Sequence, residues 1–340
     1  MSLFLLRCCT VFVLAVLFLP QGQAVMAAGP SWMPSGVLNQ FNAEILPRFR
    51  IVSYYGSPLT PQMGILGEMP QSKMIDQLKA QAKVYAQIDP SHPVVLALEM
   101  VAVVASGDPG ANGAYSTQMP YAVIQKELDL ARSIGALLIL DVQIGHASVQ
   151  SEVQYLAPFL SQPDVELALD PEFSMPPGDV PGQEFGTMNA SAINWASAYL
   201  NSLVITDRLP QKVLIVHQFI QSMIPNWNQI VPRPYVALVK DMDGFGGQQI
   251  KIANYEYFVK QEAVSCTSGQ EATISINANM VNGLFEVNNA TMLLLEADLS
   301  ITNTQPCGGF KVFYRQDRPP MTPWQVLTML SPPPLVIIYQ

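Results

Sequence analysis

The stretch Leu137-Leu-Ile-Leu-Asp-Val-Gln143 opens with four apolar residues and closes on alternating polar ones, Asp141 and Gln143. A helical pattern over residues 151–160 follows. A second apolar run comes next, Val165-Glu-Leu-Ala-Leu-Asp-Pro-Glu-Phe173, ending on Asp170 and Glu172. Short apolar runs separated by amphipathic segments are the sequence pattern of a parallel sheet covered by helices. The unit recurs in both directions, with apolar runs at 50–55, 94–101, 137–143, 165–173, 213–219, 236–243, 310–314 and 335–339. Helical patterns lie at 72–88, 122–134, 151–160, 190–206, 248–260 and 323–329. Only the connection after the fifth run, which holds Pro225 and Pro232, leaves little room for a helix. Eight such units predict an α/β fold, a closed (β/α)8 TIM barrel. An open doubly wound sheet is the alternative, and the lack of a glycine-rich first turn counts against it.

The connections have a polarity. Helix-to-strand links are short, whereas the strand-to-helix links at 56–71, 105–120 and 174–188 each run about 15 residues. In a barrel that side carries the site.

One segment interrupts the repeat. Residues 265–307 read as a small β-rich insertion between the sixth helix and the seventh strand. Alternation runs over 273–276, Asn282-Gly283 gives a hairpin signal, and apolar residues follow at 284–287 and 292–301. A helix over 292–299 is the alternative there. Cys266 and Cys307 would hold the insertion at its base as a disulfide, closing a loop of about 40 residues and stabilising by roughly 4 kcal/mol. Two unpaired thiols are the other possibility.

Composition narrows the function. Only 13% of the 340 residues are charged, and 17 Lys and Arg stand against 26 Asp and Glu, a net charge of -9. An acidic chain without a basic cluster is a poor fit to nucleic acid or to an anionic membrane surface. Arg7 followed by the apolar run 8–19 and the small-residue sites at 22–24 and 25–27 reads as an export signal over residues 1–27, with an uncleaved anchor as the alternative. Residues 28–48 then form an N-terminal segment and 49–340 the barrel. The mature protein is expected to be secreted, with no membrane association once the signal is removed.

The polar residues that end the apolar runs are the candidate site. Glu99 ends the second run, Asp141 and Gln143 the third, and Asp170 and Glu172 the fourth. His217 and Gln218 end the fifth, and Lys240, Asp241 and Asp243 the sixth. A side-chain period of two puts Asp170 with Glu172, and Asp241 with Asp243, on shared faces. Crowded carboxylates raise one another's pKa, which is what glycosidic bond hydrolysis requires of its acid. Glu172 is the expected proton donor, with Asp170 orienting it. Asp141, Asp241 and Asp243 compete for the second catalytic role. Tyr54, Tyr55 and Tyr314 lead the aromatic residues placed to stack on sugar rings, and Glu99, Gln143, His217, Gln218 and Lys240 complete the substrate-binding candidates. No nucleophile elbow and no phosphate-cradling loop occurs, and no cofactor is expected. His146 and His217 with Asp141 would offer metal ligands, but their spacing fits no established motif.

The stretches Tyr54-Tyr-Gly-Ser-Pro-Leu59, Leu137-Leu-Ile-Leu-Asp-Val-Gln143, Leu167-Ala-Leu-Asp-Pro-Glu172, Val216-His-Gln-Phe219, Asp243-Gly-Phe-Gly246, Gly309-Phe-Lys-Val-Phe-Tyr314 and Val336-Ile-Ile-Tyr-Gln340 resemble an uncharacterised group of exported bacterial (β/α)8-barrel proteins. That resemblance implies a barrel of glycoside-hydrolase type and brings no activity with it. Asp170-Pro-Glu172 is also similar to the Asp-x-Glu of chitinase-like glycosidases, where the Glu is the acid. The upstream aspartate of that motif is Ala168 here. The expectation is an exported carbohydrate-active barrel hydrolysing glycosidic bonds, its partner a carbohydrate or cell-wall glycan. A non-catalytic glycan-binding barrel is the second reading and a metal-dependent hydrolase the third.

Overall fold

A computed structural model describes residues 43–261, 265–266, 281–287, 290–295 and 305–340. The export-signal reading of 1–27 and the alternation at 273–276 lie outside the described residues. Eight parallel strands close into a ring in sequence order: β1 (Arg50–Gly56), β2 (Val94–Ala105), β3 (Leu137–Val142), β4 (Val165–Leu169), β5 (Lys212–Gln218), β6 (Val236–Met242), β7 (Gly308–Val312) and β8 (Val336–Tyr339). β8 pairs with β1 through Ile51 and Val336, and β1 pairs with β2 along its whole length. Ring closure leaves no open edge among the eight strands. The protein is an α/β barrel.

Helices α1 (Gln71–Ile88), α2 (Tyr121–Ile134), α3 (Val149–Tyr155), α4 (Ala157–Leu160), α5 (Ala190–Asp207), α6 (Gln248–Tyr255) and α7 (Pro323–Met329) lie between the strands. α1 buries Met74, Leu78, Ala82 and Tyr85, one stripe at helical spacing. α2 stops at Gly135, whose φ of 70° is the left-handed conformation that suits glycine. After β5, two single 3₁₀ turns (Pro-flanked, as expected) replace a helix. The single helical pattern at 151–160 is broken into α3 and α4, with Pro158 in the first turn of α4. No helix among the described residues is long and apolar enough to cross a membrane.

Alternation along the strands makes two cores. Outward residues such as Leu98, Leu138, Leu167 and Leu214 pack under the helices. Inward residues such as Val95, Ile139, Ala168, Ile215 and Val239 fill the barrel. Ile45, Leu46 and Phe49 belong to that inner core and plug it from the side where the strands begin, and Gln211 accepts hydrogen bonds from the Ile45 and Leu46 amides. Cys266 and Cys307 are disulfide-bonded on the same side.

Three boundaries differ from the sequence reading. β4 ends at Leu169, and Pro171–Phe173 forms a 3₁₀ turn capped by Asp170. In the insertion, Asn282-Gly283 lies inside strand Val281–Val287, which pairs antiparallel with Ala290–Leu295, so that dipeptide is not the turn. The alternative helix over 292–299 is replaced by strand through Leu295. Strand Ser116–Gln118, in the long second loop, adds antiparallel to the end of β2 outside the ring.

The inner core also holds an acid. Glu166 on β4 is fully buried, and its Oε2 accepts a hydrogen bond of 2.6 Å from the Val213 amide. Burial raises its pKa to about 7, against the opposing charge of Lys212. A carboxyl whose folded pKa is raised keeps its full stability below its ordinary pKa of 4.5 and loses it as pH rises towards 7. The wild-type unfolding free energy is expected to fall by about 2–3 kcal/mol between pH 5 and 8 on this account. Urea titrations of Glu166→Gln across that range check it, since the variant lacks this component of the slope.

Candidate active site

Above the apolar layers the barrel interior turns polar. Tyr55, Glu99, Asp141, Gln143, Asp170, His217, Asp241, Asp243 and Lys311 converge there, all buried. Burying a charge costs several kcal/mol unless it is paired, so these groups must answer one another.

His217, at the end of β5, is the hub. Its Nδ1 lies 3.0 Å from Asp241 Oδ2 and its Nε2 3.0 Å from Glu99 Oε1. Asp243 Oδ2 at 3.6 Å and Asp141 Oδ1 at 3.9 Å complete the surround. Both ring nitrogens face carboxyl oxygens, an arrangement that favours the imidazolium. Burial and the Lys311 charge oppose this, but the bonds to Asp241 and Glu99 prevail and hold the His217 pKa well above its ordinary value. Backbone pairing sets the geometry: His217 is the register partner of Asp241, and Asp241 of Gly309. A Cβ on Gly309 would lie 2.6 Å from Asp241 Oδ1, so a bare backbone is what admits the Asp241 side chain.

A second chain of bonds rises from this floor. Tyr55 donates to Asp141 Oδ2 at 3.0 Å, and Gln143 donates to both Tyr55 and Asp170 Oδ2 at 3.3 Å. Lys311 donates to Asp243 Oδ2 at 3.2 Å and sits 3.7 Å from the centre of the Tyr55 ring. Burial opposes the Lys311 charge, but Asp243 and Glu99 outweigh it and raise its pKa. Burial lifts Asp141 to about 6 and Asp170 well above the ordinary carboxylate range.

Over the floor opens a cavity of about 650 Å³, in the range of small-molecule sites. Tyr55, Gln143, Asp170, Glu172, Asp243 and Lys311 face it. Two aromatic pairs flank it, Phe185 against Phe219 and Phe245 against Phe313, with ring centres 5.2 and 5.9 Å apart. Phe185 and Phe245 are 57% and 66% exposed.

Glu172 reaches the cavity by a different route from strand alternation. Asp170 Oδ1 accepts the Glu172 amide at 3.3 Å, capping the 3₁₀ turn and aiming Glu172 inward. The Glu172 carboxyl makes no hydrogen bond among the described residues. Burial, reinforced by the charge of Asp243, raises its pKa to about 7 against the opposing Lys311 and His217.

The sequence candidates therefore separate into groups. Glu172, Asp170, Asp243, Tyr55 and Gln143 line the cavity, while Glu99, Asp141, Asp241 and His217 form the buried layer beneath it. Lys240 points to the outer side, its ammonium 4.0 Å from the centre of the Trp227 ring. Gln218 likewise bonds the Ile220 carbonyl, outside the cavity lining. Tyr54 and Tyr314 line a neighbouring cavity. Sequence reasoning missed Lys311 as a site residue, although a lysine inside the apolar run Gly309-Phe-Lys-Val-Phe313 of a charge-poor chain was its signal.

His146 does not join His217. Its Nε2 meets the Asp179 carbonyl at 2.7 Å, and its ring stacks on Tyr115. Among the described residues His217, Asp241 and Asp243 are the group close enough to share a cation, with ligand atoms within 4.8 Å of one another. A metal-binding histidine must offer a neutral nitrogen, and both nitrogens of His217 are already engaged with Asp241 and Glu99. Fold and site together define the class: a (β/α)8 barrel whose strand ends build an acidic cavity rimmed by aromatic rings. No protein-family model matches the chain, and neither does any curated protein.

The floor network makes a stability prediction. His217→Ala leaves Glu99 and Asp241 buried without their cation and is expected to cost about 3–5 kcal/mol in urea unfolding. Asp170→Ala removes the cap of the 3₁₀ turn and the acceptor of the Gln143 amide, and is expected to cost about 1–2 kcal/mol.

Proposed function

We propose that this protein is an exported glycoside hydrolase in which Glu172 is the general acid. The observation that carries the reading is Glu172 itself: a half-buried carboxyl, its pKa raised to about 7, facing a cavity that it shares with Asp243. At neutral pH a substantial fraction of Glu172 holds the proton that a departing glycosidic oxygen must receive. Asp243 supplies the second carboxylate. Lys311 occupies its Oδ2, and its Oδ1 is buried without a hydrogen-bond partner among the described residues, so in this reading a small side-chain rotation presents that oxygen to the cavity. Asp170 acts through Glu172 as a positioning residue. Phe185, Phe219, Phe245 and Phe313 offer apolar faces to the C–H faces of a sugar. The Cys266–Cys307 disulfide and the signal-like residues 1–27 support export to an oxidising compartment.

One observation favours a second reading, a glycan-binding barrel without chemistry. The Lys311 ammonium is bonded to Asp243, so one of its two oxygens is already engaged and not free to act on a substrate.

Reducing ends released from a polysaccharide panel separate the two. Under the first reading, Glu172→Gln lowers kcat by about 10²–10⁴-fold while leaving the thermal midpoint and glycan affinity largely unchanged. Unaltered turnover in the variant removes Glu172 from the mechanism. Saturable binding by the wild type with no reducing ends released supports the second. The acid must be protonated to act, so kcat is also expected to fall about tenfold per pH unit above roughly pH 7, which a pH–rate profile measures.

A further inference from the structure

A second cavity, of about 550 Å³, lies beside the first. Its walls are α1, the loop between β1 and α1, and the segment after β7. Three residues, Gln62, Gln316 and Gln340, line both cavities, so the two spaces meet at a wall of glutamine side chains.

The chemistry of the second space differs from that of the first. No buried acid lines it, and its charged residues, Glu68 and Arg315, are paired with each other. The remaining polar groups are neutral amides and phenols: Gln77, Gln81, Tyr54 and Tyr314 beside the three shared glutamines. Tyr314 is 45% exposed and stacks on Tyr339, with ring centres 5.2 Å apart at 25°. Tyr339 is fixed in turn by a hydrogen bond from Gln81 at 2.6 Å and one shared with the Tyr85 hydroxyl at 2.7 Å. The result is a braced aromatic face among neutral donors and acceptors. Hydroxyl-rich rings suit such a wall: their C–H faces cover the tyrosine, and amides can both donate to and accept from hydroxyls. A phosphate or other anion would meet Arg315 already neutralised by Glu68.

We propose that this second cavity is a distal subsite for neutral sugar units. A glycan chain held at the Glu172 cavity passes the Gln62, Gln316 and Gln340 wall and lays further residues over Tyr314. The inference rests on the glycosidase reading and extends it, because it makes the ligand an oligosaccharide rather than a single sugar.

The test uses Glu172→Gln protein, which binds without turnover, and cello-, xylo-, manno- and chito-oligosaccharides of two to six units as probes in calorimetric titration. The expected result is a hexamer bound at least tenfold more tightly than the dimer of the same series. Two substitutions on the exposed face of α1, Ala80→Trp to fill the cavity and Gln77→Ala to remove an amide, leave the inner core untouched. Ala80→Trp is expected to abolish the gain with length and Gln77→Ala to reduce it, dimer affinity staying within twofold and the thermal midpoint unchanged. Equal affinity for dimer and hexamer in the parent protein, or a gain that survives both substitutions, overturns the subsite and leaves the Glu172 reading standing. Binding of no oligosaccharide at any length overturns the glycan reading itself, and the subsite with it.

Discussion

The contact on which the upper barrel depends is the fully buried pairing of His217 with Glu99 and Asp241. These residues come from β5, β2 and β6, so one imidazolium ties together strands that are not all neighbours in the ring. A charge at that depth survives only if its partners are fixed. Strand register fixes Asp241 opposite His217, and the missing side chain of Gly309 gives Asp241 its space. Backbone pairing thus sets the position of each group in the floor.

The acids divide by what they can reach. Asp141 and Asp241 are sealed beneath the floor and committed to Tyr55 and His217. Asp243 stands at the boundary: it lines the cavity, with one oxygen on Lys311 and the other buried without a partner, as Asp141 Oδ1 and Asp241 Oδ1 also are. Glu172 stands outside the network altogether, without a hydrogen bond to its carboxyl among the described residues, and its pKa is set mainly by burial. What each acid can reach is thus set by its position, within the buried network or facing the cavity. The two cavities differ as well, one lined by acids with aromatic pairs at its mouth, the other by neutral amides over a braced tyrosine.

Much of the fold was legible because burial on both faces makes barrel strands nearly continuous apolar runs, and all eight were found within a few residues of their bounds. The connection without a helix was legible from Pro225 and Pro232. Where reading failed, a local cue yielded to its surroundings. Asn282-Gly283 is a good turn dipeptide, yet it lies within a strand. Asp170 and Glu172 do enter one cavity, but through a 3₁₀ turn, because Pro171 cannot continue the ladder. Lys240 and Gln218 were placed at the site by their position at strand ends. Both lie one residue out of phase with the inward face, which period-two alternation could have told.

By itself the sequence determined the α/β barrel, the side on which the candidate site lies, and the scarcity of charge that makes each strand-end acid conspicuous. Those properties follow from local periodicity and from how few polar groups an apolar strand can carry. Only the tertiary structure decided which acids face a cavity and which are consumed by pairing. It also brought Lys311 to Asp243 across 68 residues, and it moved Tyr54 and Tyr314 into a cavity of their own. Those outcomes depend on the closure of the ring and on the direction in which each side chain leaves its strand. Composition and spacing carry neither, because the energy of a buried charge is set by its neighbours in space.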